Sequence, residues 1–371
     1  MKTYHNEREW IWECDTFPHF SYTNVPLETL YFKFGQLQMV EHLINKNTFT
    51  ELLVDVLENE AVATSAIEGE TLQRSSVRSS IHKILRLDIQ QEYSGNYHID
   101  NLIEIILDAK TNRSPLDFER LSSWHKALFP TNQSGLRKIV AGKYRTHDDE
   151  MRIVSGPWER EKIHYIAPPS SQMDIRMGEF LQWLEDENES NLLIKAAIAH
   201  LYFVLIHPFE DGNGRITRAI TDYVLAKADL VNASFYSVAT AIQYHRKEYY
   251  EILDTICQSN TLDITRWIEW FIKILEISID DTLKKVDVIQ LKTKFWDKHF
   301  NSNLNERQKK VIFKMLSALP KAFEGGMKVN KYMNITQSTR ITASRDLSDL
   351  VQKGVMNTFG SGRGVFYLLN L

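Results

Sequence analysis

The sequence predicts a mainly α-helical protein with one β-hairpin and a small basic module at its C-terminal end. Three observations carry that prediction. Apolar residues recur at helical spacing through most of the chain, as at Leu52, Val56 and Ala63. One interval, 139–169, breaks the pattern: the short apolar runs MRIVSG and IHYIAPP flank the polar PWEREK, as in a hairpin with a longer loop. The charge then changes sign. Residues 301–371 hold eleven basic and four acidic side chains, a balance of +7, within a chain of net charge −4, so the first 300 residues carry −11.

The elements follow in order. The aromatic-rich segment REWIWECDTFPHFSY (8–22) reads as irregular packed chain, with a partner surface as the second reading. Helices are expected over 27–47, 48–67, 80–90, 97–110 and 118–128. After the hairpin, which Pro168 and Pro169 end, they resume over 172–187, 191–206, 216–230, 238–258 and 261–297. NERQKKVIFKML (305–316) is amphipathic, KVNKYMNI a second short helix, and STRITASRDLSDLVQKGVM a third that ends at Lys353-Gly354. Two short strands around Gly360–Gly364 complete the order of a winged helix-turn-helix. The expected domains are 1–110, 111–275, a helical linker 276–300, and 301–371.

Composition bounds the class. At 371 residues, 43% hydrophobic and 25% charged, the chain suits a soluble protein of two or three domains. Cys14 and Cys257 are too few for a disulfide framework or a cysteine zinc site, which fits a reducing cytoplasm. MKTYHNEREW lacks the apolar core of a signal peptide. The most apolar run, LLIKAAIAHLYFVLI (192–206), is too short to span a bilayer and contains Lys195 and His200. No membrane partner is expected.

The chemistry concentrates at 207–218, HPFEDGNGRITR. A buried helix ends near Ile206, where Pro208 prevents its continuation. Gly212-Asn213-Gly214 lets backbone N–H groups converge, and the next helix points its N-terminus at them, which makes an anion site. Arg215 and Arg218 share a helical face there, and arginine forks suit phosphate oxygens. Asp211 suits a divalent cation that also binds nucleotide phosphates. His207 is the natural general base. Together these parts read as phosphoryl-type transfer from a nucleotide. The GxxxxGK[ST] loop is absent, so this is not a P-loop enzyme.

HPFEDGNGRITR resembles the Fic family signature HxFx[D/E]GNGRxxR at every defined position. GKYR (142–145), YIAPP (165–169) and the apolar helix before His207 look like Fic-domain features as well. The resemblance implies a Fic-type helical core with a β-hairpin flap and transfer of AMP from ATP to a protein hydroxyl, with Mg²⁺. Carried over by position, His207 would deprotonate the target Ser, Thr or Tyr, and Asp211 would bind Mg²⁺. Gly212, Asn213 and Gly214 would line the phosphate nest, Arg215 would contact the phosphates, and Arg218 the γ-phosphate. Phe209 would anchor the loop. Ile153, Val154, Ile163 and His164 of the flap would align the target chain by β-augmentation. Tyr249 and Tyr250 would approach the adenine, with plain helix packing as the alternative.

A second resemblance lies upstream. TSAIEGE (64–70) reads alone as a helix end, with Glu68 an exposed charge and Gly69 a C-cap. Thr64-x-x-x-Glu68-Gly69 also resembles the Fic inhibitory motif [S/T]xxxE[G/N], N-terminal to the core. That resemblance implies that Glu68 pairs with Arg218 and removes it from the γ-phosphate, while Thr64 helps hold the helix. A self-inhibited adenylyltransferase follows, acting on a target protein and on itself. AMP removal at the same site, and a transcription regulator whose Fic core senses nucleotide, stand as alternatives. In the basic module Arg340, Thr342, Ser344 and Arg345 would face DNA, although such modules also dock proteins. A homodimer is left open.

Overall fold

The computed structural model describes residues 10–87, 96–135, 137–156, 160–186 and 191–371. The readings made for residues 1–9, 88–90, 157–159 and 187 lie outside the described residues. The chain divides into two compact units, Met1–Thr282 and Leu283–Leu371. Among the described residues no helix is long and apolar enough to cross a membrane.

The first unit is helical. Its N-terminal segment packs as irregular chain: Ile11 is fully buried, and Phe17 and Phe20 both meet the Tyr202 ring edge-on with centroids 5.7 Å away. Helix α1 (Glu28–Leu43) leads into α2 (Lys46–Ile67), whose start is capped by the Asn45 side chain accepting from Thr48 N at 2.9 Å. Helix α3 (Arg74–Ile84) begins six residues before the expected start. Before residue 80 it buries Val77 alone, which leaves no periodic stripe to mark its start. Helices α4 (Tyr97–Thr111) and α5 (Phe118–Leu128) match the expected positions closely.

A short ribbon that periodicity does not signal follows: β1 (Gln133–Ser134) pairs with β2 (Arg137–Lys138). The expected hairpin is β3 (Arg152–Ser155) against β4 (Lys162–Ile166), antiparallel, with a register shift at Ile153/Val154. Helix α6 (Met173–Glu185) precedes α7 (Leu192–Ile206), which is apolar apart from Lys195 and His200 and almost wholly buried. Its most extensive partner is α8 (Asn213–Lys227), and α4 packs across α8. Helix α8 starts at Asn213 rather than Ile216, because Gly212 takes the left-handed conformation (φ +78°) at its N-cap. The expected helix 238–258 is interrupted at His245 into α9 (Val238–Tyr244) and α10 (Arg246–Cys257). Helix α11 (Thr265–Lys298) starts four residues late, since Asp263 Oδ1 accepts from Thr265 N at 2.9 Å and caps it there.

The second unit holds α12 (Glu306–Leu316), α13 (Val329–Thr336) and α14 (Arg340–Gln352), then β5 (Met356–Phe359) antiparallel to β6 (Phe366–Leu369). Its core includes Phe295, Ile312, Met315, Tyr332, Leu347 and Met356. Asp346 ties three of its elements: it accepts from Arg307 Nε (2.8 Å), Tyr332 OH (2.8 Å) and Asn305 Nδ2 (3.1 Å).

Candidate active site

The loop between α7 and α8 carries the sequence-predicted residues on a bent, well-tied backbone. His207 closes α7 in the left-handed region (φ 51°), an uncommon place for a side chain with a Cβ. Arg145 holds that bend: its Nε donates to His207 O at 2.9 Å, and its backbone N donates to Pro208 O at 2.9 Å. Asn213 ties the loop to itself, accepting from Phe209 N (2.9 Å) and donating to Phe209 O (2.8 Å). Phe209 is fully buried and stacks on His125, as an anchor should. Gly212 has no room for a side chain: a Cβ would lie 2.7 Å from Phe129 Cε2.

Asp211 is oriented by its neighbours. Its Oδ1 accepts from Gly212 N at 2.5 Å, and Ser134 of β1 donates to its Oδ2. Both oxygens keep lone pairs, and the helix N-terminus adjoins them. One carboxylate so placed fits Mg²⁺, which is held mainly by phosphates and water. His207 is half-buried; burial and the Arg145 guanidinium push its pKa down to about 4, so the imidazole is neutral at physiological pH.

The two arginines are both engaged. Arg218 is 3% exposed. Its Nε donates to Thr64 Oγ1 at 2.6 Å, and its Nη2 donates to Thr64 O at 3.0 Å and to Glu68 Oε1 at 2.6 Å. Glu68 is the C-cap of α2, and Gly69 follows with φ +84°. The Glu68 carboxylate lies directly over the loop: a Cβ on Gly214 would sit 2.1 Å from its Oε1. Arg215 donates from Nη1 to Glu70 at 3.1–3.2 Å, with its guanidinium 5.1 Å from the Phe129 ring centroid. Thus the motif pairing expected of Thr64, Glu68 and Arg218 is present as side-chain geometry, with Glu70 added.

The remaining candidates divide. Tyr249 is a core residue, its OH 3.0 Å from His200 Nε2. Tyr250 is 43% exposed and donates to Ile67 O at 3.3 Å, next to Glu68. On the hairpin, Ile153 pairs with Tyr165 and Val154 with Ile163; Val154 is exposed and Ile163 half-buried. His164 Nδ1 lies 2.7 Å from Asp254 Oδ1, so the hairpin is tied to α10. Sequence reasoning missed Ser134, His125 and Glu70. Only Glu70 had a visible signal, a second acid two places after Glu68.

Residues 115–225 match the profile of the Fic/DOC family, and residues 10–87 match a domain of unknown function, DUF4172. The protein adenylyltransferase Fic of Nematostella vectensis is 33% identical over 233 residues, 62% of this chain and 49% of that protein. The chain thus spans about half the length of that curated relative. Among solved structures, a Fic family protein from Desulfovibrio desulfuricans aligns with TM-score 0.53 at 20% identity, covering 94% of this chain and 97% of its own. A Fic domain containing signaling protein from Bacteroides thetaiotaomicron aligns with TM-score 0.52 at 18% identity, over 70% of this chain and 96% of its own. The profile match assigns residues 115–225 to the Fic/DOC family, and the two solved structures share the chain's fold.

Proposed function

We propose that the chain is a self-inhibited protein adenylyltransferase, moving AMP from ATP to a Ser, Thr or Tyr hydroxyl of a target protein. The observation that carries this reading is the arginine bound twice over, Arg218 on Thr64 and Glu68, beside an intact His207–Asp211 loop. In the released state neutral His207 accepts the hydroxyl proton as the oxygen attacks the α-phosphate and pyrophosphate leaves. The N–H groups at the start of α8 receive the negative charge of the phosphates, and Arg215 and Arg218 hold the leaving pyrophosphate. Asp211 would hold Mg²⁺, which supplies charge neutralisation to the phosphates. The exposed hairpin residue Val154 is where an extended target segment aligns. Domain limits follow from the same reading: a helical regulatory region to 110, the core 111–275, a linker 276–300 and the winged-helix module 301–371.

In the resting state Glu68 occupies Arg218, and its carboxylate covers Gly214, where phosphate oxygens would otherwise approach the backbone. Glu70 adds a second acidic contact on Arg215. The test is intact-mass spectrometry after incubation with ATP and Mg²⁺. An AMP adduct on Glu68→Gly, absent from Glu68→Gly/His207→Ala, supports transfer chemistry, base and brake together. No adduct on any variant and none on a cell-extract target, with ATP bound, refutes it.

A second reading concerns the basic module. Arg340, Ser344 and Arg345 on α14 are exposed, beside the exposed Ile341, whereas Thr342 is half-buried. With the +7 balance of 301–371, this favours nucleic-acid binding by that module. Arg340→Ala and Arg345→Ala would each lower the salt slope of DNA binding by about 1; salt-independent binding, or none, removes this reading.

A further inference from the structure

The loop that carries His207 and Asp211 is gripped at both ends from one short segment, 142–145. At the His207 end the grip is direct, through Arg145. At the Asp211 end it passes through an imidazole. Gly142 N donates to His125 Nδ1 at 2.7 Å, and His125 Nε2 lies 3.0 Å from Asp211 O. His125 is fully buried, and its ring stacks on Phe209 with centroids 4.0 Å apart and an interplanar angle of 14°.

The partners set the tautomer. A backbone N–H can only donate, so Nδ1 must carry a lone pair. A carbonyl can only accept, so Nε2 must carry the hydrogen. Neutral Nε2–H imidazole is the one form that satisfies both. An apolar ring of the same shape would keep the stack on Phe209 but leave a buried N–H and a partly buried carbonyl without these partners.

The geometry points to His125 as a positioning residue: a neutral relay from Gly142 that fixes the Asp211 backbone, and with it the carboxylate, relative to His207. This rests on the Fic reading for the role of Asp211. The carboxylate itself is oriented by Ser134 and Gly212 N, so His125 sets where that oriented group sits. Residues that hold a cation ligand in place contribute on the order of 10–100-fold in metal affinity or activity.

The test uses the full chain carrying Glu68→Gly, with His125→Gln, His125→Asn and His125→Phe. A Gln amide nitrogen reaches the place of Nε2 and can donate to Asp211 O; Asn replaces only the Nδ1 acceptor; Phe keeps ring and stack. Mn²⁺ affinity in the presence of ATP is read by electron paramagnetic resonance, beside kcat and the KM for ATP. Phe and Asn are expected to weaken Mn²⁺ binding on the order of 10–100-fold and to lower kcat, while Gln, which keeps the donor to Asp211 O but not the acceptor for Gly142 N, restores part of both. Unchanged Mn²⁺ binding in His125→Phe, or Gln no better than Asn, overturns the relay. Nitrogen-15 spectra of the parent labelled at histidine give an independent reading. A neutral Nε2–H tautomer at His125 is expected, and Nδ1–H or a charged ring overturns the proposal. If the parent itself fails to bind Mn²⁺ with ATP, the Fic reading fails, while the tautomer still decides the relay.

Discussion

Replacing Glu68 by glycine removes one short contact from a buried arginine and leaves the rest of its cage in place. The lost bond is Arg218 Nη2 to Glu68 Oε1 at 2.6 Å, with side chains 4% and 32% exposed. Hydrogen bonds between charged groups contribute about 1.5–3 kcal/mol. With the carboxylate a third open to solvent, screening argues for the lower part of that range, about 2 kcal/mol. At 1.4 kcal/mol per tenfold, freeing Arg218 for phosphate should raise turnover roughly 30-fold. Glu68→Gln keeps the shape and a hydrogen bond to the charged guanidinium but loses the ion pairing, so its rate should fall between wild type and Glu68→Gly. The assay is pyrophosphate release at saturating ATP for the three proteins, with melting curves to confirm that all are folded. Equal rates for wild type and Glu68→Gly on a substrate that either one labels would refute the brake. A rate for Glu68→Gln equal to wild type would show that shape, not charge, holds Arg218.

Further outcomes follow from the same geometry. In the Glu68→Gly background, His207→Ala should lower transfer by on the order of 10²–10⁴ while ATP binding, read by calorimetry, persists. Lost binding would make His207 structural. Glu70→Gln removes a contact to Arg215 whose carboxylate is half exposed; exposed pairs contribute about 0.2–1 kcal/mol, so activity should rise by up to about fivefold, additively with Glu68→Gly. A fall instead would make Glu70 a supporting group. Stability should decline in mild acid. His200 is fully buried between Thr221 and Tyr249, and burial pushes its pKa down to about 3. Burial lowers His125 as well. The unfolded chain therefore takes protons first: this stability is complete above about pH 6.5 and is lost as pH falls through 6.5 toward the folded values. Melts at pH 7.5, 6.5 and 5.5 should show a falling Tm, shallower in His200→Asn; a flat Tm would contradict buried neutral histidines.

Much of the fold was legible because its helices are amphipathic or wholly apolar. Leu192–Ile206 and Phe118–Leu128 lie within a residue of their expected limits. What escaped has physical causes. The start of helix α3, residues 74–79, buries Val77 alone and so gives no periodic signal, the break at His245 has no Pro or Gly, and two-residue strands such as Gln133–Ser134 have no period to detect. The loop residues were legible because phosphate, cation and base chemistry need particular side chains close together in sequence. The Thr64–Arg218 and Glu68–Arg218 contacts join residues 154 and 150 apart, and only the motif resemblance suggested them. His125, Ser134 and Arg145 act through backbone groups of the loop or through Asp211, so no spacing rule reaches them.

The most direct measurement is to trace the two ends of ATP. Glu68→Gly is incubated with Mg²⁺ and ATP carrying radiolabel on either the α- or the γ-phosphate, and protein-bound label is counted against wild type. The account predicts stable label from the α-phosphate alone, strong in Glu68→Gly, weak in wild type, and absent when His207 is also replaced by alanine. Label arriving from the γ-phosphate, or equal α-label in wild type and Glu68→Gly, would contradict it.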